Sequence, residues 1–138
     1  MQIKIIILFF LLLMGCVGTS SADYVSGLNA YNKANYLKAL VEWLPLAEQG
    51  DPQAQLNIAG MYTKGYGVKV DDAKAIFWYT KAAKQGQPRA QYNLGVMYLI
   101  GTGIDKSIED AKYWLHLAYD NGVAEAETLW NQNKLWNF

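Results

Sequence analysis

The strongest constraint on the fold is a stretch of sequence that returns after 36 residues. A fixed period of this length is typical of solenoid proteins, in which each repeat buries its apolar face against its neighbours. Apolar residues recur at helical spacing within each period, so each repeat is predicted to be a pair of helices. The recurring positions are Ala54 and Ala90, Asn57 and Asn93, Met61 and Met97, Tyr62 and Tyr98, Gly65 and Gly101, Gly67 and Gly103, Ala75 and Ala111, Trp78 and Trp114, and Gly86 and Gly122.

Composition sets the outer limits on fold and function. The chain has 138 residues, of which 52% are hydrophobic and 17% are charged, and this balance fits one globular domain. Its twelve basic residues match its twelve acidic residues, so the charge gives no indication of a nucleic-acid partner. One Cys and one His exclude an internal disulfide framework and a metal site built mainly from thiolates and imidazoles. We expect no cofactor.

The first 22 residues have the layout of a secretory signal peptide. Lys4 precedes an apolar run over residues 5–14, and small residues dominate 15–22. The apolar run is too short to cross a bilayer comfortably, so no membrane span is predicted in the mature chain. Cleavage after Ala22 would leave Asp23 as the first residue, and the alternative is a lipoprotein signal with lipidation of Cys16. The protein is therefore predicted to be periplasmic or secreted, with a membrane-anchored lipoprotein as the alternative.

The same period divides the mature chain, residues 23–138, into four segments. Residues 23–50 are predicted to form a shortened helix pair without the glycine loop, and residues 51–86 and 87–122 form two full repeats. Residues 123–138 are predicted to be a terminal helix that caps the stack; its bulky residues are Trp130, Leu135 and Trp136. Helix starts are predicted at Asp51 with Pro52, at Asp71 or Asp72, and at Ser107. Ser107 has capping-box spacing to Asp110.

These offsets resemble the Sel1-like repeat family, a relative of the tetratricopeptide repeats. The pattern is Ala-x-x-x-Leu-Gly-x-x-Tyr, Gly-x-Gly-Val, Ala-x-x-Trp and Ala-x-x-x-Gly; residues 90–122 match it well, and residues 54–86 match it with Ala59 in place of Gly. Residues 23–50 are closer to a tetratricopeptide pair. The resemblance implies a right-handed α/α solenoid of antiparallel helix pairs, an adaptor or scaffold without catalytic residues. The residues that it assigns to the repeat structure are Ala54, Tyr62, Gly65, Gly67, Ala75, Trp78, Gly86, Ala90, Gly95, Tyr98, Gly101, Gly103, Ala111, Trp114 and Gly122.

The resemblance also indicates where a partner would bind. In tetratricopeptide domains the first helix of each pair lines a concave groove, and an Asn at the place of Asn57 and Asn93 often binds peptide backbone or a carboxylate. The same amides could instead hold neighbouring repeats together, and the nearby methionines could fill the core. The other residues predicted for this groove are Gln55, Met61, Lys64, Gln91, Met97 and Ile100.

Three other features have an ordinary structural interpretation. The two Gly-x-Gly loops lack the third glycine of a phosphate-binding loop and are predicted to lie between helices, where glycines permit tight turns. His116 lies four residues from both Lys112 and Asp120, where exposed side chains on one helix meet. The acidic pairs at 71–72 and 109–110 stand at predicted helix starts, and adjacent residues on a helix point about 100° apart. We therefore predict no catalytic residue and no metal ligand.

The functional prediction is an exported, non-enzymatic module that binds a protein or peptide in the concave groove. One alternative is a hydrolase of cell-wall fragments or β-lactams, an activity associated with some cysteine-rich secreted relatives. The present chain lacks those cysteines and has no nucleophile and base at useful spacing. A second alternative is a structural subunit that assembles with copies of itself through its terminal helices.

Overall fold

The structure, a computed structural model, describes residues 20–133 of the chain. Within this range all the regular secondary structure is helical. Residues 1–19, with Lys4 and Cys16 of the predicted signal sequence, lie outside the described residues, and α1 begins three residues before the predicted mature start at Asp23. The helices are α1 (Ser20–Asn32), α2 (Tyr36–Glu48), α3 (Pro52–Lys64), α4 (Asp72–Lys84), α5 (Pro88–Ile100), α6 (Ile108–Asp120) and α7 (Ala124–Gln132).

Successive helices pack against one another in chain order. The most extensive contacts join α1 to α2, α3 to α4 and α5 to α6, which are therefore the three helix pairs. Contacts of α2 with α3 and of α4 with α5 join one pair to the next, and α7 packs on α6. Packing between neighbours along the chain is the arrangement of a solenoid. The predicted all-α solenoid of helix pairs is confirmed.

The predicted helix starts are confirmed by side chains that cap the first turn. In each case the side-chain oxygen accepts a hydrogen bond from the backbone N–H three residues later, at 2.7 Å for Asp51, 2.9 Å for Asp71 and 3.2 Å for Ser107. These bonds satisfy donors that have no partner inside the helix. At the other ends of α3 and α5, Gly65 and Gly101 adopt the left-handed conformation.

The two glycine loops have the same backbone hydrogen bonds. The carbonyl of Tyr62 accepts from the N–H of Asp71 at 3.1 Å, and the carbonyl of Tyr98 accepts from the N–H of Ser107 at 3.0 Å. Both pairs are 36 residues apart, so the two tyrosines occupy equivalent surroundings. The loops connect a first helix to a second helix, and neither loop follows a strand.

The core repeats a contact between a large and a small residue. The second helices carry Trp43, Tyr79 and Leu115 at 36-residue intervals, and these side chains are 1%, 4% and 0% exposed. Gly27 faces the indole of Trp43, and a Cβ on Gly95 would lie 2.8 Å from Cγ of Leu115. Glycine at positions 27 and 95 therefore leaves room for a large side chain of the second helix, and the small Ala59 holds the equivalent position in the second pair.

The last helix covers the end of the stack. Ala126 of α7 is completely buried, and Trp130 is half-buried with its ring edge-on to His116 at a centroid distance of 5.8 Å. Leu135 and Trp136, which were also predicted to contribute to this cap, lie outside the described residues. Among the helices between residues 20 and 133, none combines the length and the apolar character that a membrane crossing requires.

Candidate functional site

A groove of about 570 Å³ runs along the first helices of the three pairs. The second helices reach it only through Trp43 and Tyr79, whose side chains are buried. The open groove therefore lies on the side of the molecule where the sequence analysis predicted one. The residues of α1, α3 and α5 that line it are Tyr24, Leu28, Tyr31, Asn32, Gln53, Leu56, Asn57, Gly60, Thr63, Lys64, Arg89 and Asn93.

The two amides predicted to face this groove do line it. The side-chain N–H of Asn57 donates to the hydroxyl of Tyr24 at 3.2 Å, and its oxygen accepts from Gln53 at 3.2 Å. Asn93 interacts with the hydroxyl of Tyr79, which lowers the pKa of that group. Asn57 thus links the first pair to the second, which is the structural role considered for it. An amide has two donors and two acceptor lone pairs, so these bonds leave capacity for a ligand.

The hydroxyl of Tyr79 lies at the base of the groove. The side chain is 4% exposed, and its oxygen lies 3.5 Å from Oγ1 of Thr63. Burial raises the pKa of Tyr79, and hydrogen bonds with Thr63 and Asn93 oppose this effect in part. Tyr79 is therefore neutral at physiological pH and presents a hydroxyl, not a phenolate, to the groove.

Two cations give the groove a positive lining. Lys64 lies at the end of α3, with its Nζ 5.6 Å from the ring centre of Tyr66. Arg89 lies at the start of α5 and forms an ion pair with Glu125 at 3.0 Å. The two side chains of this pair are 57% and 53% exposed, so the pair is weak and a ligand can compete for Arg89. Among the described residues that line the groove, none is acidic.

Four residues predicted to line the groove lie in the interior instead, and the prediction is wrong for them. The four are Gln55 and Gln91, which are 2% and 3% exposed, and Met61 and Met97, which are 0% and 5% exposed. They occupy the sides of α3 and α5 that face the second helices, where the thioethers fill the core and the amides find hydrogen-bond partners. Lys64 does line the groove, whereas Ile100 is exposed outside its lining.

The buried glutamines connect successive helix pairs through one repeated pattern. Gln55 donates to the carbonyl of Ala47 at 3.0 Å and accepts from the side chain of Gln85 at 2.8 Å. The same two bonds recur 36 residues later at 3.2 and 2.9 Å, among Gln91, Ala83 and Asn121. Each buried amide therefore bonds to the end of the preceding second helix and to the end of its own second helix.

Gln55→Ala is expected to lower the free energy of unfolding by about 1–3 kcal/mol, because the carbonyl of Ala47 loses its buried side-chain donor. Urea denaturation followed by circular dichroism measures the loss. Gln132→Ala, at an exposed position on α7, is the control and should change stability by no more than about 0.5 kcal/mol. A loss for Gln55→Ala as small as that of the control would contradict a structural role for this amide.

The features that were given a structural interpretation make local contacts. Nδ1 of His116 lies 2.9 Å from a carboxylate oxygen of Asp120, and the two side chains are 60% and 54% exposed, so the contact is an exposed pair within one helix. The N–H of Lys74 lowers the pKa of Asp71, consistent with its capping position. Within residues 20–133, no three side chains of His, Cys, Asp or Glu are grouped to hold a metal.

Sequence reasoning missed several groove residues. Gln53, Asn57 and Lys64 follow one another at spacings of four and seven, which places them on one stripe of α3. Asn57 and Lys64 were predicted, and this stripe, continued by Arg89 in the next repeat, was a signal that could have found Gln53 and Arg89. Tyr24 could not be found in this way because α1 departs from the 36-residue register, whereas α2 keeps it.

The comparisons with known proteins agree with this architecture. Residues 52–87 and 88–123 each match the family model described as Sel1 repeat. These matches start one residue after the periods counted from Asp51 and Gln87. No curated protein sequence matches the chain.

Two solved structures resemble the chain closely. A Sel1 repeat protein from Oxalobacter formigenes is 37% identical, with a TM-score of 0.73 over 76% of this chain and 43% of the other. A protective antigen present in uropathogenic Escherichia coli strains, which displays an SLR fold, is 34% identical, with a TM-score of 0.73 over 79% of this chain and 24% of the other. The chain therefore spans less than half the length of either protein.

Proposed function

Because the chain belongs to the Sel1 repeat family, we propose that it is an exported, non-enzymatic module that binds an extended, acidic segment of a protein partner in the groove along α1, α3 and α5. Sel1 repeats are commonly protein–protein interaction modules, and the family is generally a non-catalytic fold. The finer parts of the proposal, which are the groove, the acidic partner and export, rest on the observations below.

One observation carries the proposal: the groove has a polar, positively charged lining. Its hydrogen-bonding groups include the amides of Asn57 and Asn93 and the hydroxyl of Tyr79, which belong to two successive helix pairs. An extended peptide offers backbone N–H and C=O groups at regular intervals, and amide side chains can pair with both. Lys64 and Arg89 favour a partner with carboxylates, because no acidic residue lines the described groove to repel it.

The groove is largely preformed, which favours binding of a flexible partner. Asn57 is held by Tyr24 and Gln53, and Gln53 in turn accepts a hydrogen bond from Gln87 of the next repeat at 3.0 Å. Side chains that are already ordered lose little conformational entropy when a ligand arrives. The ordering cost of binding then falls mainly on the peptide.

Export is proposed from the N-terminal sequence alone. Lys4, the apolar run over 5–14 and the small residues before Asp23 fit a signal peptide, and the lipidated form with Cys16 at its start is the alternative. The mass of the mature N-terminus distinguishes the two forms.

The test uses a random dodecapeptide library displayed on phage and selected against the purified chain. We expect the selected peptides to be enriched in Asp and Glu. For one selected peptide, Asn57→Ala and Arg89→Ala are each expected to weaken binding by about three- to ten-fold in calorimetry. Binding should also weaken at high salt, because exposed charges are screened.

Two controls separate the groove from the rest of the surface. Lys38→Ala removes an exposed cation from a second helix, and Asn131→Ala removes an exposed amide from α7; both should leave the affinity unchanged. Selected peptides without acidic enrichment, or equal effects of Arg89→Ala and Lys38→Ala, would rule out the proposed acidic partner. An affinity unaffected by Asn57→Ala would rule out the groove.

A further inference from the structure

Each second helix has an exposed hydrophobic residue at the same repeat position. Val41, Phe77 and Tyr113 follow one another at 36-residue intervals and are 63%, 51% and 58% exposed. They lie on helices α2, α4 and α6, outside the residues that line the groove. Repetition of an exposed hydrophobic residue on three successive second helices makes this face a candidate interaction surface.

Charges of opposite sign flank this row on the second helices of the second and third pairs. On α4 a lysine stands three residues before Phe77 and another seven residues after it. On α6 an aspartate stands at each of the same two distances from Tyr113. Residues at these spacings share one face of a helix. We call these six exposed residues the outer stripe: Lys74, Phe77 and Lys84 on α4, and Asp110, Tyr113 and Asp120 on α6.

We propose that the outer stripe binds a second copy of the chain, forming a two-fold symmetric dimer. An axis parallel to the helices and midway between α4 and α6 places α4 of one copy on α6 of the other. With equivalent repeat positions placed at the same height, Phe77 meets Tyr113 of the partner subunit. Lys74 meets the partner's Asp110, and Lys84 meets the partner's Asp120. Every contact occurs twice, as symmetry requires.

Like charges disfavour three other ways of pairing these helices. Packing α4 on α4 in antiparallel fashion brings Lys74 to Lys84 of the partner subunit. The same arrangement of α6 brings Asp110 to the partner's Asp120. Packing α4 on α2 brings Lys74 to the partner's Lys38. Like charges in an interface disfavour association, so only the pairing of α4 with α6 matches at both ends.

The contact is small, so the dimer is expected to be weak. A helix of this length spans about 20 Å, and two neighbouring helices cover about 20 Å across, which gives a footprint on the order of 400 Å² per copy. Interfaces of this size belong to weak, transient complexes. Asp120 already contacts His116, but a carboxylate has about four acceptor sites and can also bind a lysine.

The test is a charge exchange in the full chain, followed by sedimentation equilibrium from about 10 μM to about 1 mM. The average mass of the unmodified chain should approach twice the protomer mass at high concentration. Lys84→Asp and Asp120→Lys should each weaken dimerisation by at least about ten-fold, because each brings like charges together twice. An equimolar mixture of the two variants should dimerise again, because each aspartate then meets a lysine.

Circular dichroism and the thermal midpoint check that both variants are folded, which is expected because the positions are exposed. An unmodified chain that stays monomeric at about 1 mM overturns the proposal, as does a dimer that both single variants leave intact or a mixture that fails to associate. The measurement needs no peptide, so its outcome is independent of the groove. A dimer with two open grooves would bind a partner that carries two acidic segments more tightly than a monomer.

Discussion

Gly67→Ala is expected to lower the free energy of unfolding by about 2–4 kcal/mol, measured by urea denaturation at 25 °C. Gly67 has φ +71°, a conformation that disfavours any side chain. A Cβ at this position would also lie 2.8 Å from the carbonyl carbon of Tyr36 and 2.9 Å from the N of Leu37. These atoms belong to the backbone at the start of α2, so they cannot move aside as a flexible side chain would.

Gly86→Ala is the matched control for this prediction. Gly86 has φ +84°, but no atom lies within 4 Å of the Cβ that alanine would add. Only the conformational cost applies there, and we expect a loss of about 1 kcal/mol. Equal losses for the two variants would show that close approach to α2 does not matter at Gly67.

The close approach of Gly67 to α2 also explains the second glycine of each Gly-x-Gly loop. Gly103, 36 residues after Gly67, has φ +68° and lies against Asp72 at the start of α4. The second glycine of each loop therefore allows a loop to touch the preceding helix pair. The sequence analysis explained these glycines by tight turns alone, which accounts for Gly65 and Gly101 at the helix ends but not for this contact between repeats.

Much of the fold could be predicted from the sequence because its signals are local and occur twice. Asp51 and Ser107 precede their helices at capping positions, and Gly65 and Gly101 end theirs. A capping residue acts within one turn, so its effect can be read from neighbouring residues in the sequence. The period then repeats the assignment for a second helix pair.

The candidate site was harder to predict because its residues depend on distant partners. Gln55 is polar and was expected at the surface, but its amide bonds to Ala47 and to Gln85, which is 30 residues away in sequence. No local pattern distinguishes an amide that finds buried partners from one that faces solvent. Met61 presented the same difficulty, since methionine suits both an adaptable surface and a core.

Trp43→Ala is expected to lower the free energy of unfolding by about 3–5 kcal/mol, the largest effect of any substitution proposed for this chain. The side chain is 1% exposed, and its indole N–H donates to the carbonyl of Tyr24 at 3.1 Å. Its ring lies 5.9 Å from that of Tyr24 and 5.7 Å from that of Tyr31. Gly27 leaves the space that the indole fills, so alanine at position 43 would leave a cavity between α1 and α2.

Trp43→Phe separates the packing of the ring from its hydrogen bond. Phenylalanine keeps an aromatic ring beside Tyr24 but leaves the carbonyl of that residue without the indole donor, so we expect a loss of about 1–2 kcal/mol. Hydrogen exchange should show which helices the substitutions destabilise. In a solenoid each pair contacts mainly its neighbours, so amides of α1 and α2 should lose more protection from exchange than those of α5 and α6. Equal loss of protection along the whole chain would mean that the three pairs unfold as one unit. A stability loss for Trp43→Ala no greater than that for Trp43→Phe would mean that ring packing does not hold the first pair together.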